Sequence, residues 1–286
     1  TGFKYYLTKN KINDQKCIHE ELSLISKHKD EARVVIVDSY EVNNKYFDEL
    51  RKLFLAIVYL DDLGLDFEVD MVINPSSSFK SIDYIAPTAL CGLDYLILND
   101  KYKFGGTESV KTESMLITFG GVDHYDLSSK LIPLIESIDN KLKLNIIIGP
   151  YYDNLNQIKT AINNSNLNIQ LYSGLKDLRP IMLQSDIAIT AGGVSIYELM
   201  ALSIPSIGIA LWDNQKSNIE SLARQGAIIP LYYFEGKEFE MQLIESLKKL
   251  ISDVSFHKDI SDISRSIIDG NGALRISKII NKKYGK

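Results

Sequence analysis

The chain contains little cysteine and no long apolar segment. Cys17 and Cys91 are its only cysteines, so no disulfide framework is predicted and a reducing, cytoplasmic compartment is expected. No apolar run reaches the roughly 20 residues that a membrane-spanning helix needs, so we expect no membrane span. Basic residues are outnumbered, with 32 Lys and Arg against 37 Asp and Glu. The resulting net charge of −5 argues against nucleic acid as a partner.

Common cofactor and metal motifs are missing as well. The sequence has no G-x-G-x-x-G dinucleotide fingerprint and no Walker A loop with its lysine, so no NAD or ATP cofactor is predicted. Asp61, Asp62, Asp66 and Asp70 form an acidic group, but their spacing does not fit an EF-hand loop. We therefore predict no metal site.

The sequence does show apolar strand patterns that alternate with helical patterns. This alternation predicts an α/β fold with a mostly parallel sheet built from βαβ units. The predicted strands are 3–7, 34–37, 55–60, 71–73, 94–98, 115–119, 144–148, 167–172, 186–190, 206–210 and 227–231. The predicted helices are 14–26, 43–52, 125–139, 152–164, 176–184, 195–202, 215–224 and 237–252.

The length of 286 residues suits two domains, each large enough to bury a core. A polar, glycine-bearing stretch at 103–113 reads as a linker. We therefore predict one α/β domain at 1–104 and a second at 105–256. The final segment, 257–286, is predicted to be helical and to pack back on the N-terminal domain.

Two glycine pairs follow predicted strands in the second half of the chain. Gly120 and Gly121 follow the strand at 115–119, and Gly192 and Gly193 follow the strand at 186–190. Glycines let backbone N–H groups approach a ligand closely, and the helix that follows favours an anion at its N-terminus. Ligands of such sheets bind outside the carboxyl ends of the strands. The two turns together predict a bound diphosphate.

Short stretches in nearly every part of the chain also share the pattern of one enzyme family. They are 37–40, 59–63, 70–74, 91–95, 118–123, 186–198, 205–207, 214–215 and 272–275. Taken together, they resemble the UDP-sugar hydrolase of pseudaminic-acid biosynthesis and its spore-coat polysaccharide relatives. That family is related to the lipid-II-forming N-acetylglucosaminyltransferase. The resemblance implies a GT-B fold, with two Rossmann-like doubly wound domains facing across a cleft.

The sequence departs from this family at two places. The family's first strand ends in a G-x-G-H-x-x-R loop whose histidine is thought to act in hydrolysis, and no Gly-x-Gly-His occurs here. The resemblance thus implies an incomplete N-terminal domain, lacking a first βα unit of about 30 residues. We expect this chain by itself to bind UDP but to turn over poorly. The stretch 96–100 replaces the family's usual Leu-Arg run beside the sugar site, so the sugar stays open.

The reaction implied by the resemblance is hydrolysis of a UDP-2,4-diacetamido-2,4,6-trideoxy-hexose. It would release UDP and a free amino-deoxy sugar for nonulosonic acid or for surface or spore-coat polysaccharide. Other enzymes of such a pathway are the implied protein partners. Two alternatives stay open at this point. One is a GT-B glycosyltransferase with a UDP-sugar donor, and the other is a non-catalytic module that binds sugar nucleotides.

The resemblance also implies roles for individual residues. Those expected to bind UDP are Gly120, Gly121, Gly192, Gly193, Ser195 and Glu198. Asn214 and Gln215 are expected to bind the sugar, since amides both donate to and accept from its polar groups. Tyr40 and Asp62 are the expected catalytic residues, with Tyr40 orienting water or the leaving oxygen and Asp62 supporting a general base.

Structural explanations compete for several of these residues. The glycines also suit tight turns, and Ser195 with Glu198 forms the S-x-x-E pattern of a capping box. Asp123 suits a helix N-cap better than a ligand contact. His124 reads as a solvated loop histidine, and Trp212 is either a binding platform or a packing residue.

Overall fold

The computed structural model describes residues 15–28, 31–76, 78–103 and 112–285. It divides into two compact units, one formed by Thr1–Leu96 with Gly272–Lys286 and the other by Ile97–Asn271. The boundaries between the units therefore lie between residues 96 and 97 and between residues 271 and 272. The sequence predicted them at 104/105 and 256/257. The predicted strand at 3–7 and most of the predicted linker at 103–113 lie outside the described residues.

Ten helices and ten strands are found in these described residues, apart from three short 3-10 turns. The helices are α1 Gln15–Ser26, α2 Asn44–Arg51, α3 Leu127–Ile138, α4 Leu155–Asn163, α5 Arg179–Met182, α6 Val194–Ala201, α7 Asp213–Arg224, α8 Lys237–Ser252, α9 Val254–Ile267 and α10 Gly272–Tyr284. The strands are β1 Val34–Val37, β2 Ala56–Leu60, β3 Met71–Asn74, β4 Ala89–Cys91, β5 Ser114–Thr118, β6 Lys143–Ile148, β7 Ile169–Ser173, β8 Ile187–Ala191, β9 Ser206–Ala210 and β10 Ile229–Tyr232.

The first unit is a four-stranded parallel sheet with helices on both faces. Its strands lie in the order β1-β2-β3-β4, without reversal in the described residues. Alternate side chains of a strand point to opposite faces. Tyr59 accordingly packs in one cluster with Phe47 of α2, whereas Val58 packs in another with Ile276 of α10. The C-terminal helix thus completes the core of the unit that the N-terminal residues begin.

The predicted strand at 94–98 is wrong. The fourth strand of this unit is β4, which ends at Cys91, and Leu93–Tyr95 forms a 3-10 turn. Gly92 has a φ of 95°, a conformation that only glycine adopts readily. Its N–H still donates to the carbonyl of Asn74, at 2.9 Å. The chain therefore leaves the sheet immediately after this last bond.

The second unit is a six-stranded parallel sheet in the order β10-β9-β8-β5-β6-β7. The chain runs from β5 outward to β7, returns to β8 on the other side of β5, and runs outward again to β10. The side chains of α3, α4 and α8 share a buried cluster with alternate residues of the strands. On the opposite face Gly208 of β9 meets Ile196 of α6 and Ile219 of α7, where an added Cβ would lie 2.6 and 2.7 Å from their Cδ1 atoms.

The predicted C-terminal helical segment, 257–286, is divided between the two units. Helix α9 belongs to the second unit, where Ile260 joins the large cluster and Ser264 Oγ donates to the carbonyl of Ala227 at 3.1 Å. Helix α10 belongs to the first unit. Gly270, with a φ of 70°, interrupts the helical pattern between them. None of the helices in the described part of the chain has the length and apolar character needed to cross a bilayer.

We expect Ile276→Ala to destabilise the first unit by about 2–4 kcal/mol, because it removes a buried side chain that attaches α10 to the sheet. Leu274→Ala on the same helix is the control, since Leu274 is 45% exposed and its loss should change the free energy of unfolding by less than about 0.5 kcal/mol. Chemical denaturation followed by circular dichroism compares the two variants. Equal effects would contradict the packing of α10 described above.

Candidate functional site

The order of strands in the second unit reverses at one place, where open parallel sheets have a crevice outside the strand ends. The chain moves away from β5 in both directions, so β5 and β8 are the neighbours at which the strand order reverses. Ligands of open parallel sheets bind outside the carboxyl ends of the strands at such a reversal. Thr118 of β5 is directly paired with Thr190 of β8. The two glycine pairs therefore emerge side by side at this crevice.

The first glycine turn, Gly120-Gly121, depends on its own backbone conformation and on the residue that follows β6. Gly120 has a φ of 76°, and an added Cβ would meet nothing within 4 Å. Gly149, just after β6, is pressed against this turn, because a Cβ there would lie 2.2 Å from the Gly120 carbonyl oxygen and 2.4 Å from that of Gly121. The sequence analysis did not identify Gly149. The Gly-Pro pair at 149–150 indicates a turn, but it does not indicate contact with Gly120 and Gly121.

Asp123 holds the start of α3. It is buried, and its two carboxylate oxygens accept from the backbone N–H groups of Leu127 at 2.9 Å and Ser128 at 2.7 Å. Those N–H groups have no partner inside the helix, so the carboxylate satisfies both. The N-cap residue of α3 is Asp126, so the N-cap position predicted for Asp123 is wrong, although its carboxylate does satisfy the first N–H groups of the helix.

The two glycines of the second turn differ in their surroundings. A Cβ on Gly192 would lie 2.9 Å from Ile219 Cγ1 and 3.1 Å from Gln215 Cβ, so this glycine lets α7 approach the turn. Gly193 faces open space and is the N-cap of α6. Helix α6 begins at Val194, which makes Ser195 its second residue. The predicted capping box of Ser195 and Glu198 is therefore wrong, because the N-cap is a glycine without a side chain to reciprocate.

Glu198 lies one helical turn beyond Ser195, on the same side of α6. It is half-buried, and burial raises the pKa of its carboxyl group, while Tyr102 and the nearby Lys101 ammonium act in the opposite direction. The glutamate is thus free of the capping role.

The start of α7 brings three amide side chains near the second turn. Gln215 Oε1 accepts from the backbone N–H of Leu211 at 3.0 Å, whereas Asn214 is exposed. Asn218 is buried, donates to the Gly192 carbonyl at 3.3 Å and accepts from the Tyr197 hydroxyl at 2.5 Å. Sequence reasoning missed Asn218, although its position four residues after Asn214 on one helix face was a usable signal.

Aromatic rings gather beside the first turn. The ring of Trp212 lies 5.5 Å from that of His124 and 5.6 Å from that of Tyr125, yet 48% of Trp212 stays exposed. His124 is therefore in ring contact, in addition to being exposed as predicted. Trp212 packs with one part of its surface and presents the rest to solvent.

In the first unit, Tyr40 and Asp62 lie after β1 and β2, which are paired neighbours. The Tyr40 hydroxyl donates to Asp62 Oδ2 at 2.7 Å, and both residues are exposed. This hydrogen bond is the main reason that the pKa of Tyr40 rises to about 12. The two expected catalytic residues are thus brought together as one hydrogen-bonded pair.

The neighbouring Asp61 has a different role. It is buried, and its carboxylate accepts from the backbone N–H groups of residues 63–65, from Asn74 Nδ2 at 2.9 Å and from the Tyr84 hydroxyl at 2.5 Å. It therefore fixes the loop after β2. Among the described residues, no group of three or more His, Cys, Asp or Glu side chains is arranged to hold a metal ion.

We expect Asp61→Ala to cost about 3 kcal/mol of stability, because it leaves several buried donors without an acceptor. Asp62→Ala is the matched control and should cost less than about 1 kcal/mol, since its partner is exposed. Urea denaturation of both variants checks this. A larger loss for Asp62→Ala would reverse the assignment of the two aspartates.

We expect Gly149→Ala to destabilise the second unit by about 2–3 kcal/mol, because its methyl group would overlap the carbonyl oxygens of the first glycine turn. Gly193→Ala should lower the melting temperature much less, since its Cβ enters open space and its φ of −89° suits alanine, which leaves only the poorer N-cap as a cost. Thermal melts of the two variants make the comparison. Tolerance of Gly149→Ala would mean that the turn is not pressed against β6.

Comparisons with known proteins show the family and the fold of this chain. Residues 115–267, more than half of the chain, match the glycosyltransferase family 28 C-terminal domain. The spore coat polysaccharide biosynthesis protein SpsG of Bacillus subtilis is 24% identical, over 68% of this chain and 58% of that protein. The chain spans little more than half the length of the curated relatives it matches.

Two solved structures show the fold. MurG of Acinetobacter baumannii has a TM-score of 0.63 at 16% identity, covering 93% of this chain and 78% of its own. A Listeria monocytogenes protein provisionally named UDP-N-acetylglucosamine 2-epimerase has a TM-score of 0.69 at 12% identity, covering 98% of this chain and 82% of its own. The fold is α/β and GT-B-like, with parallel sheets. With residues 115–267 matching that domain, the chain belongs to the glycosyltransferase family 28 C-terminal domain family.

Proposed function

We propose that this protein transfers a glycosyl group from a UDP-sugar donor. The observation that carries the proposal is the pair of glycine turns at the point where the strand order of the second unit reverses. The family match covers that same unit and names glycosyltransferases. The choice of UDP is supported by the Listeria protein, whose name contains a UDP-sugar. Transfer thus replaces hydrolysis as the leading hypothesis.

The diphosphate would bind at the two turns. Gly120 and Gly193 both have open space where a side chain would stand, so a phosphate can approach their backbones. Helix α6 begins beside Gly193, and its free N–H groups and dipole favour an anion. These donors would stabilise the charge that develops on UDP as the bond to the anomeric carbon breaks. Gly121, Gly192 and Ser195 would complete this cradle.

The remaining groups of the donor would bind beside the turns. Glu198 would accept hydrogen bonds from the ribose hydroxyls. Exposed Asn214 would bind the sugar directly, while Gln215 keeps an amide nitrogen to donate because only its oxygen is used by Leu211. Their positions on α6 and α7 support this division.

Tyr40 and Asp62 remain the proposed catalytic pair. In transfer, an acceptor hydroxyl attacks the anomeric carbon, the bond from that carbon to the diphosphate breaks, and the acceptor proton passes to a base. Asp62 is our candidate for that base, oriented by its hydrogen bond to Tyr40. Hydrolysis is the second candidate, because a carboxylate held in this way would also accept a proton from water.

Binding is tested by isothermal titration with UDP, with GDP and CDP as controls for the base. We expect selective UDP binding, and Gly193→Ala should weaken it about tenfold or more, since its methyl group would displace the diphosphate from backbone donors. Because that variant should fold normally, the loss reports on the site. Absence of UDP binding by the folded protein would remove the proposal.

The reaction is tested by incubating UDP-sugars with and without candidate acceptor alcohols and measuring released UDP. Transfer requires that UDP release depend on an acceptor and that a glycosylated product appear. Equal release without any acceptor would favour hydrolysis. Asp62→Asn should slow either reaction with little change in UDP affinity.

A further inference from the structure

Trp212 is the single tryptophan in the sequence, and it lies two residues after β9, at the start of α7. About half of it is packed, because its ring lies 5.5 Å from the ring of His124 and 5.6 Å from that of Tyr125. Tyr125 is supported in turn by Tyr233, whose ring centre lies 4.4 Å away. The other 48% of Trp212 is exposed. The second unit therefore presents a firmly held indole to solvent.

These ring contacts join the loops of two strands that are not neighbours. Strand β8 lies between β9 and β5, so the loops with Trp212 and His124 start about 10 Å apart, at two strand spacings. The contact between the two rings crosses that distance beside the end of β8. The second glycine turn leaves the sheet at this end, and the first turn of α7 packs on it through Gln215. Trp212 therefore stands next to the proposed diphosphate site.

Trp212 also occupies an unusual position for an aromatic residue. It is the N-cap of α7, a position that Ser, Thr, Asp and Asn usually fill because their oxygens accept from the free N–H groups of the helix. An indole has only a donor N–H and cannot do this. A small polar residue would thus stabilise the helix more, by about 1 kcal/mol. Such departures from local preference are typical of functional sites.

Two further apolar side chains are exposed where neighbouring strands end. Val122, after Gly121, is 50% exposed, and Val194, after Gly193, is 63% exposed. Together with Trp212, they give β5, β8 and β9 each an exposed apolar residue in the loop at its carboxyl end. Exposed apolar residues at one edge are typical of a binding surface. We expect the ligand of this edge to offer apolar surface as well as anionic groups.

We propose that Trp212 is the platform on which the pyranose ring of the donor sugar stacks. This inference rests on the proposed function, because it takes the diphosphate to bind at the two glycine turns. It adds a specificity-determining residue to the two amides proposed to bind the sugar. Asn214 lies only two residues after Trp212, so both belong to the start of the same helix.

The chemistry of a pyranose suits this combination of residues. Its hydroxyl groups project around the rim of the ring, whereas C–H groups lie on its faces. The face of an aromatic ring carries partial negative charge and attracts the positive edges of such C–H bonds. The indole would therefore cover one face of the sugar while amide groups of α7 bind its rim.

Uracil could also stack on an indole, and the positions of the two helices favour the sugar. The nucleoside is proposed to bind toward Glu198, which lies within α6. Trp212 instead precedes α7, on the loop from the next strand. With the diphosphate between them, Trp212 should contact the group on the other side of the phosphates from the ribose.

The single tryptophan makes this contact directly measurable. Fluorescence of the whole chain is excited where uracil does not absorb, and acrylamide is added to quench the exposed indole. The ligands are UDP, UDP-glucose, UDP-galactose, UDP-N-acetylglucosamine and UDP-N-acetylgalactosamine. We expect at least one UDP-sugar to protect Trp212 from quenching, because the sugar covers its exposed face. UDP alone should give little protection.

Isothermal titration of variants measures what the contact contributes. Trp212→Ala should weaken binding of the protecting UDP-sugar about three- to tenfold, the effect of one aromatic contact, with little change for UDP. Trp212→Phe keeps an aromatic face and should restore most of the affinity. Phe234→Ala is the matched control, because Phe234 is also partly exposed and packs on one ring, that of Phe239 in α8, at 5.9 Å. It should leave both affinities unchanged.

The outcomes separate this inference from the proposed function. If the folded protein does not bind UDP, the proposed function fails. If UDP binds but none of the UDP-sugars protects the indole, this inference alone is overturned. Equal protection by UDP and UDP-sugar also overturns it, because the indole would then stack on the base. Protection without any loss of affinity in Trp212→Ala, with melting curves showing that the variant is folded, would likewise contradict a stacking role.

Discussion

The parallel pairing of β5 with β8 is the constraint on which the candidate site depends. Because both strands point the same way and Thr118 faces Thr190, their glycine turns must emerge at one edge of the sheet. The chain diverges from this pair toward β7 and toward β10, so no connection crosses the crevice there. The first turn leads on to α3 and the second leads directly into α6. The proposed diphosphate site thus depends on strand order before any side chain is considered.

The packing around each glycine of the two turns determines whether a residue with a side chain could replace it. Gly149 and Gly192 have neighbours where a side chain would stand, so they allow β6 and α7 to approach the turns. Gly120 and Gly193 have none, so only the backbone conformation or an approaching ligand explains them. The four glycines therefore form two groups. Gly149 and Gly192 allow close packing beside the turns, whereas Gly120 and Gly193 leave space next to their backbones.

Carboxylates show the same dependence on surroundings. Asp61 and Asp123 are buried and use their oxygens on nearby backbone N–H groups, which stabilises loops and a helix end. Asp62 is exposed and accepts a hydrogen bond from Tyr40, whereas Glu198 is half-buried. Each of the last two keeps acceptor capacity, which is why they remain candidates for chemistry and for ligand binding.

The sequence by itself determined the α/β class and nearly every strand of the second unit, because long β-branched apolar runs bounded by glycine are strong local signals. It also identified both glycine turns and the contribution of Asp123 to the start of α3, but not Asp126 as the N-cap residue. It failed at 94–98, where the positive φ of Gly92 ends the strand, and at Ser195, where α6 starts two residues earlier than the capping pattern requires. Only the tertiary structure decided that Gly149 presses on the first turn and that Asn218 donates to the Gly192 carbonyl. These contacts join residues distant in sequence, and no local pattern records which side chains the folded sheet brings together.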